Sequence, residues 1–428
     1  MLKSYRWKWV FLPAVLFIAI PDHSSARENM LTGSLGLRQE YDSNTNLSAN
    51  EPLSSWSSVL SPGLRLTSRS PTDQLEVYYN LGFKKNHTAS ENSINHDFLL
   101  RGDSKISSRW QAGVLNRFYL SDDSTYAGAP IPDVDKDLSA RLDRTRFSLN
   151  TFSAHSDYQF AQDSTIIISY ENRVLDNKTE GADDFIRHNP GLLVGYKLNQ
   201  QWRTEVGYNY TRGEFDLADD LETHAGNLRM IYQATPLNQF SVAYIVNQTS
   251  FQGPTADYRL HSIIGGWTRN IDHQTTFTAT AGQTILDRQH ESTLNIFSYS
   301  ADLRRKLQRG SISISGKGGI DEMHFSGGDQ EGLSRYQQLG VSGSYQLAAK
   351  ILADLALSWR ENDFIDNPAL GREKIYQASC GLSYGLTSWC QLSTRYQFKE
   401  LDADNANDGY QDHRFVLELK GTYDMLKW

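Results

Sequence analysis

Few side chains in this sequence stand where chemistry would need them. His155, Ser156 and Asp157 are the three residue types of a nucleophilic triad, side by side. A triad works only when all three share one site. Neighbours on an extended strand point to opposite faces, so this run carries no relay. The eleven histidines show no paired spacing for a metal, and the Asp- and Asn-rich segments do not match an EF-hand loop. No Cys-x-x-Cys-His motif is present to attach a haem. Cys380 and Cys390 are the two cysteines, and in an oxidising compartment they form a candidate disulfide. A turn at Thr387-Ser388 would set Cys390 opposite Gly385 and leave Cys380 about five residues away, beyond the ~7 Å Cα approach a bridge needs. The rival reading is two small side chains on a lipid-facing surface. The expectation is a chain that is not an enzyme, with no catalytic residue, no metal and no cofactor.

With no chemistry to position, the composition says what the elements are for. The chain has 428 residues, a mean hydropathy of -0.53 and a net charge of -8. It carries 22 Tyr, 18 Phe and 9 Trp against 2 Cys. Hydropathy this low excludes a helical membrane protein, whose every span needs ~20 apolar residues in a row. The acidic balance excludes nucleic acid as the main partner. A soluble β protein or a membrane β-barrel remains.

Tyrosine placement separates these two. Tyr158 and Tyr170 are 12 apart, as are Tyr196 and Tyr208, Tyr232 and Tyr244, and Tyr384 and Tyr396. A short polar break lies inside each pair, and apolar residues alternate on both sides of it. Phe240, Val242, Tyr244 and Val246 oppose Ser241, Ala243 and Asn247. This is the period of a strand. The pattern predicts twenty strands, from 33–42 and 56–69 to 389–401 and 411–426, with eighteen if the first two fail. The segments are long enough to span a bilayer, which takes ~9–11 residues. Tight turns alternate with longer loops such as Asp122–Leu142, Asp176–Asp184, Asp216–Glu222 and Leu401–Gly409. The expected fold is an all-β, antiparallel, up-and-down transmembrane barrel with short periplasmic turns and longer extracellular loops.

Other features agree. Tyr158, Phe160, Tyr196, Trp202, Tyr232, Phe240, Trp267, Tyr299, Tyr345, Tyr384 and Trp389 are expected beside the tight turns, at headgroup level. A secreted β-solenoid is the bland rival. At the C-terminus Phe415, Leu417, Leu419, Gly421, Tyr423 and Met425 alternate, but Trp428 is one residue out of phase, so a small bulge or a three-residue overhang is expected. If the apolar set meets lipid, the other set lines the channel. It includes Glu76, Lys84, Arg117, Glu171, Arg173, Arg203, Glu205, Lys317, Asp321, Asp354, Arg360, Arg395, Lys399, Glu418 and Lys420.

The N-terminus reads as an address. Lys3, Arg6 and Lys8 precede an apolar stretch from Val10 to Ile20, and Ser24-Ser25-Ala26 offers a cleavage site. Residues 1–26 are expected to be a signal peptide and 27–428 the barrel. The expected location is the outer membrane of a Gram-negative bacterium, with its lipid bilayer as a partner.

The first mature strand ends in Tyr41, Asp42, Asn44 and Leu47, and Leu60-Ser-Pro-Gly-Leu-Arg-Leu66 follows. Both stretches resemble outer-membrane β-barrels associated with exopolysaccharide biosynthesis and exosortase (PEP-CTERM) gene clusters. The resemblance implies export of a polysaccharide, with periplasmic or inner-membrane export machinery as partners. It brings no catalytic residues. The expected sugar contacts in the lumen are Tyr78, Arg117, Tyr119, Arg203, Arg360 and Arg395. The alternatives are a porin-like barrel sheathing a multihaem cytochrome, or a barrel hydrolase, for which no polar cluster at the outer rim is visible.

Overall fold

The computed structural model describes residues 27–89, 92–122, 146–178, 182–289, 292–325, 332–366, 371–404 and 409–428. The expected signal peptide lies outside these residues, as does most of the loop from Asp122 to Leu142.

The first ten strands are β1 (Glu28–Asp42), β2 (Ser55–Arg69), β3 (Asp73–Asn86), β4 (Asn92–Ser107), β5 (Trp110–Ser121), β6 (Phe147–Ala161), β7 (Ser164–Asn177), β8 (Phe185–Lys197), β9 (Trp202–Phe215) and β10 (Leu221–Thr235). The second ten are β11 (Asn238–Phe251), β12 (Tyr258–Asn270), β13 (Thr275–Arg288), β14 (Leu294–Leu307), β15 (Gly310–Met323), β16 (Gly332–Ala348), β17 (Ile351–Phe364), β18 (Arg372–Gly385), β19 (Cys390–Ala403) and β20 (Tyr410–Lys427). Each pairs antiparallel with the next, and β20 returns to β1, so the sheet closes. Closure is what lipid demands, because an open edge would leave a row of backbone groups unpaired in hydrocarbon. All twenty expected segments are strands. The largest shift is at the start, where β1 begins at Glu28, five residues early, because Glu28 already pairs with Arg69.

The period-two pattern sets the two faces. Leu35, Leu37 and Tyr41 on β1, Val206 and Tyr208 on β9, and Leu355 and Leu357 on β17 are among the apolar side chains left exposed. They form the outer belt. Nine tight turns and both strand ends, Glu28 and Lys427, lie at one rim; the longer loops lie at the other. The ladder between β2 and β3 lapses between Leu60↔Phe83 and Gly63↔Asn80, where Pro62 has no N–H to give.

At the C-terminus a bulge, not an overhang, brings Trp428 into phase. Leu31 pairs with Leu426 and Thr32 with Asp424, so Met425 is the extra residue. It restores the phase, and Tyr423, Leu426 and Trp428 all face outward. The seam is tied by Thr32 Oγ1 donating to Asp424 Oδ1 at 3.1 Å, and by backbone bonds between Asn29 and Trp428.

The disulfide is a correction. Cys380 lies opposite Tyr396 and Cys390 opposite Gly421, and both thiols are free. Residue 396 is six positions along β19 from Cys390, roughly 20 Å at the rise of a strand. A tight turn pairs near neighbours, and these two are not near its centre.

The tyrosines form two levels rather than one. Tyr158, Tyr196, Tyr232 and Tyr384 sit by the tight turns, as expected; Tyr299 does not, being in the middle of β14. The second member of each pair stands higher and bonds a histidine on the following strand. Tyr170–His188, Tyr208–His224, Tyr244–His261 and Tyr396–His413 share Oη–Nδ1 hydrogen bonds of 2.7–2.8 Å, and Tyr79–His96 adds a fifth. All five lie on the outer face. Tyr158 is opposite Ile166, and Tyr170 lies four residues further along β7, so the two tyrosine levels are ~13 Å apart along the strand. Five of the eleven histidines that looked scattered in the sequence are therefore an ordered feature.

Candidate functional site

The inward face is polar and paired. Arg65 meets Glu76, Arg187 meets Glu171, and Lys84 meets Asp122 at 3.1–3.2 Å or closer. Each charge that alternation would turn toward lipid is costly, so the sequence places these on the other phase of each strand.

All six residues expected to contact sugar lie on this inward face, but they do not converge on one site. They are spread over β3, β5, β9, β17 and β19. The four arginines are engaged with carboxylates: Arg117 with Asp97 at 3.6 Å, Arg203 with Glu205 at 3.2 Å, Arg360 with Asp321 at 2.7 Å, and Arg395 with Asp354 at 3.8 Å. Several cations also cover rings. Arg65 lies 5.2 Å from the Tyr78 ring, Arg117 4.9 Å from Tyr119 and Arg360 4.6 Å from Tyr336. The wall thus alternates neutralised charge with flat, guanidinium-capped aromatic surface. His155 and Asp157 share the inward face and Ser156 the outer one, where its Oγ accepts from Trp110 Nε1, so no triad exists. Among the described residues no His, Cys, Asp or Glu cluster has the geometry of a metal site.

The mouth is where the structure goes beyond the sequence. β15 was expected to run as wall to residue 325. It pairs with β14 only from Leu307↔Gly310 to Tyr299↔Gly318. Its pairing with β16 continues to Met323↔Gly332. The outer half of β15 therefore parts from β14 and bends into the lumen, while β16 stays paired with β17 as far as Ser334↔Phe364. Gly318 and Gly319 permit this. A Cβ on Gly318 would come within 2.7 Å of the Tyr299 ring, and Gly319 has a φ of 157° that side chains rarely adopt.

Once bent, β15 lays its outward face against the inner wall of β11–β14. Leu333 and Ile320 pack with Tyr258, Leu260, Leu286 and Leu294. Glu322 accepts from Tyr258 Oη at 2.6 Å and from Asn247 Nδ2 at 3.1 Å. His324 Nε2 shares a 2.7 Å hydrogen bond with the same Tyr258 oxygen. The hydroxyl has one proton and gives it to the carboxylate, so Nε2–H of His324 donates to the tyrosine. Its Nδ1 is buried with no partner. Burial drives the His324 pKa down to about 4, so the imidazole is neutral at physiological pH. Beyond it, Phe325 reaches β8 and β9. Its ring stacks on Phe215 at 5.3 Å and meets the edge of Phe185 at 5.2 Å, with the Arg187 guanidinium 5.0 Å away. A Cβ on Gly213 would come within 2.8 Å of it.

This cluster carried a signal that period-two reading missed. Ile320, Glu322 and His324 continue the outward phase of Ile312 and Ile314. A carboxylate and an imidazole on the lipid phase, just after Gly-Gly, imply a strand that has turned inward.

The Tyr41–Leu47 motif also has a structural part. Asp42 Oδ1 accepts from the Asn44 backbone N–H at 3.0 Å, and Asn44 Nδ2 donates to the carbonyls of Ser48 and Gln411. Asn44 is 1% exposed, and Leu47 packs on Leu401 and Tyr410 inside the barrel. The motif folds the β1–β2 loop inward over β18–β20.

No family model matches the sequence, and no curated protein matches it. Solved structures match in shape. The ferric enterobactin receptor PfeA of Pseudomonas aeruginosa, in complex with enterobactin, superposes with a TM-score of 0.54 at 10% identity, covering 92% of this chain and 81% of that one. The siderophore receptor PirA of Acinetobacter baumannii gives 0.50 at 8% identity, covering 92% and 81%. At these identities the likeness is one of fold. Together with the closed sheet and its apolar belt, it makes the chain a transmembrane β-barrel of the Gram-negative outer-membrane kind.

Proposed function

We propose that this barrel is an outer-membrane pore through which a hydroxyl-rich polymer, an exopolysaccharide, leaves the cell. The observation that supports this reading is the lumen wall. Its arginines are neutralised by carboxylates, so no strong field of one sign selects simple ions. Its guanidinium-capped rings at Tyr78, Tyr119 and Tyr336 offer flat faces for sugar rings and donors for hydroxyls. Such contacts are weak and repeated, which lets a chain slide rather than lodge. Periplasmic or inner-membrane export machinery would deliver the polymer. Deleting the gene and weighing the polymer released outside the cell tests the reading. The expected result is loss of secreted polymer with intracellular or periplasmic build-up; unchanged secretion contradicts it.

A further inference from the structure

We propose that the periplasmic rim of β12–β16 binds an anionic phospholipid, with its headgroup held between Arg269 and Arg305 and an acyl chain laid in a shallow lane of small residues on the lipid face above them. The proposal concerns the lipid around the barrel and does not depend on what passes through it.

The rim here is strongly basic. Residues 267–276, 303–312 and 345–352 are three tight turns with the strand ends beside them. They hold Arg269, Arg304, Arg305, Lys306, Arg309 and Lys350 against one acid, Asp272. The whole chain has a net charge of -8, so this excess is local. The turns on either side, Thr235–Asn238 and Gly385–Cys390, carry no charge. Backbone bonds join the three turns into one edge: Lys306 N–H donates to the Gln274 carbonyl at 2.8 Å, and Gln346 N–H to the Arg309 carbonyl at 2.7 Å. Arg304 is engaged with Asp302 at 2.8 Å. The Asp272 carboxylate is taken up by its own turn, accepting from the Gln274 and Thr275 N–H groups at 2.7 Å and from Thr275 Oγ1 at 3.1 Å. Arg269, Arg305, Lys306, Arg309 and Lys350 are exposed, and among the described residues none of them is ion-paired.

Strand phase decides which of these cations meets lipid. Arg269 is opposite Phe277 and shares the outer face of Trp267; Arg305 is opposite Thr275 and shares the outer face of Leu303 and Leu307. Arg304 and Lys306 take the lumen phase. The two outward arginines flank β13 with an offset of two residues, which sets their Cα atoms roughly 12 Å apart. Their stems lie along apolar surface while the guanidiniums reach headgroup level. Each guanidinium presents a fork that matches phosphate oxygens, so the pair can close on one phosphodiester from both sides.

The surface above the arginines selects a lipid over an acidic protein. On the outer face Trp267, Ala279, Ala301, Gly316 and Leu339 follow one another across β12–β16. Gly265 and Ala281 are opposite each other in the next row. Trp267 and Leu339 thus bound a floor on which no side chain is longer than a methyl group. Ala301 is four residues from Arg305 and Gly265 four from Arg269, ~13 Å further into the apolar belt. A chain lying in this depression touches the floor and both walls, and so gains dispersion contacts that a flat wall does not give. An acidic protein below the rim would use the cations and leave the lane unused.

Native mass spectrometry of the purified full-length protein, titrated with phosphatidylglycerol or with phosphatidylcholine of the same acyl chains, tests the site. The unmodified protein is expected to retain phosphatidylglycerol at several-fold higher occupancy. Arg269→Gln with Arg305→Gln should bring the two lipids level, and Lys105→Gln on the β4–β5 side of the same rim should leave the preference intact. Ala301→Phe, which fills the lane and keeps every charge, should lower retention of phosphatidylglycerol. If the double variant fails to fold, the comparison of the two lipids on the unmodified protein decides. Equal retention of both lipids by the unmodified protein, as expected if the rim serves an acidic protein instead, overturns the proposal. So does a preference that survives the loss of both arginines. Complete displacement by inorganic phosphate, with no effect of Ala301→Phe, would mark a free-phosphate site and also overturns it.

Discussion

Replacing Glu40 by glutamine lowers the stability of the barrel by ~3–5 kcal/mol, the cost of removing one partner from a buried ion pair. Glu40 sits at the seam where the sheet closes. Its carboxylate meets Arg38 Nε at 2.5 Å and a terminal Arg414 nitrogen at 3.2 Å, and accepts weakly from Ser57 at 3.4 Å. Its side chain is 4% exposed and that of Arg414 6%. Glutamine keeps the shape and removes the charge, so two desolvated guanidiniums lose the anion they share. The loss falls on β1, β2 and β20 together and weakens closure rather than one strand. Urea unfolding from lipid vesicles, followed by the gel-mobility shift between folded and unfolded barrel, measures it. Replacing Arg38, Glu40 and Arg414 together with apolar residues of similar volume should recover much of the loss, because the desolvation cost disappears with the charges.

Leu286→Ala is the second large effect, at ~2–5 kcal/mol. Leu286 is fully buried on the inner face of β13, against Leu260 and Leu333. Wall and hairpin meet there, so the cavity opens between them. Exchange protection should fall in the outer half of β15–β16 before it falls elsewhere. Leu355→Ala, on the lipid face and half exposed, is the control. An equal loss at both positions would mean that the inner cluster is not a packed core.

Much of the fold was legible because a spanning barrel is a local code. Alternation fixes which face a residue takes, and a tight turn fixes register, so twenty segments followed from spacing alone, while the phase of Trp428 called for a bulge or an overhang without a position. The same terms weighed against the candidate disulfide: a turn pairs residues equidistant from its centre, and Cys380 and Cys390 are not. The upper tyrosines were visible and their partners were not, because a histidine 16 to 18 residues later is reached across a loop whose length varies. The mouth was least legible. Continuing β15 as wall to residue 325 assigned Glu322 and His324 to lipid. Only contacts distant in sequence, to Asn247 and Tyr258, explain why those residues are tolerated. The lumen arginines were placed on the correct face, yet sequence could not show that each had a carboxylate beside it.

Single-channel recording with a neutral oligosaccharide tests the central claim most directly. Purified full-length protein in a planar bilayer should give stepwise current with weak preference between cations and anions. Adding the oligosaccharide should interrupt the open current reversibly and in proportion to concentration. Steady current that oligosaccharide leaves untouched, or a strong preference for ions of one sign, would contradict a pore built for hydroxyl-rich chains.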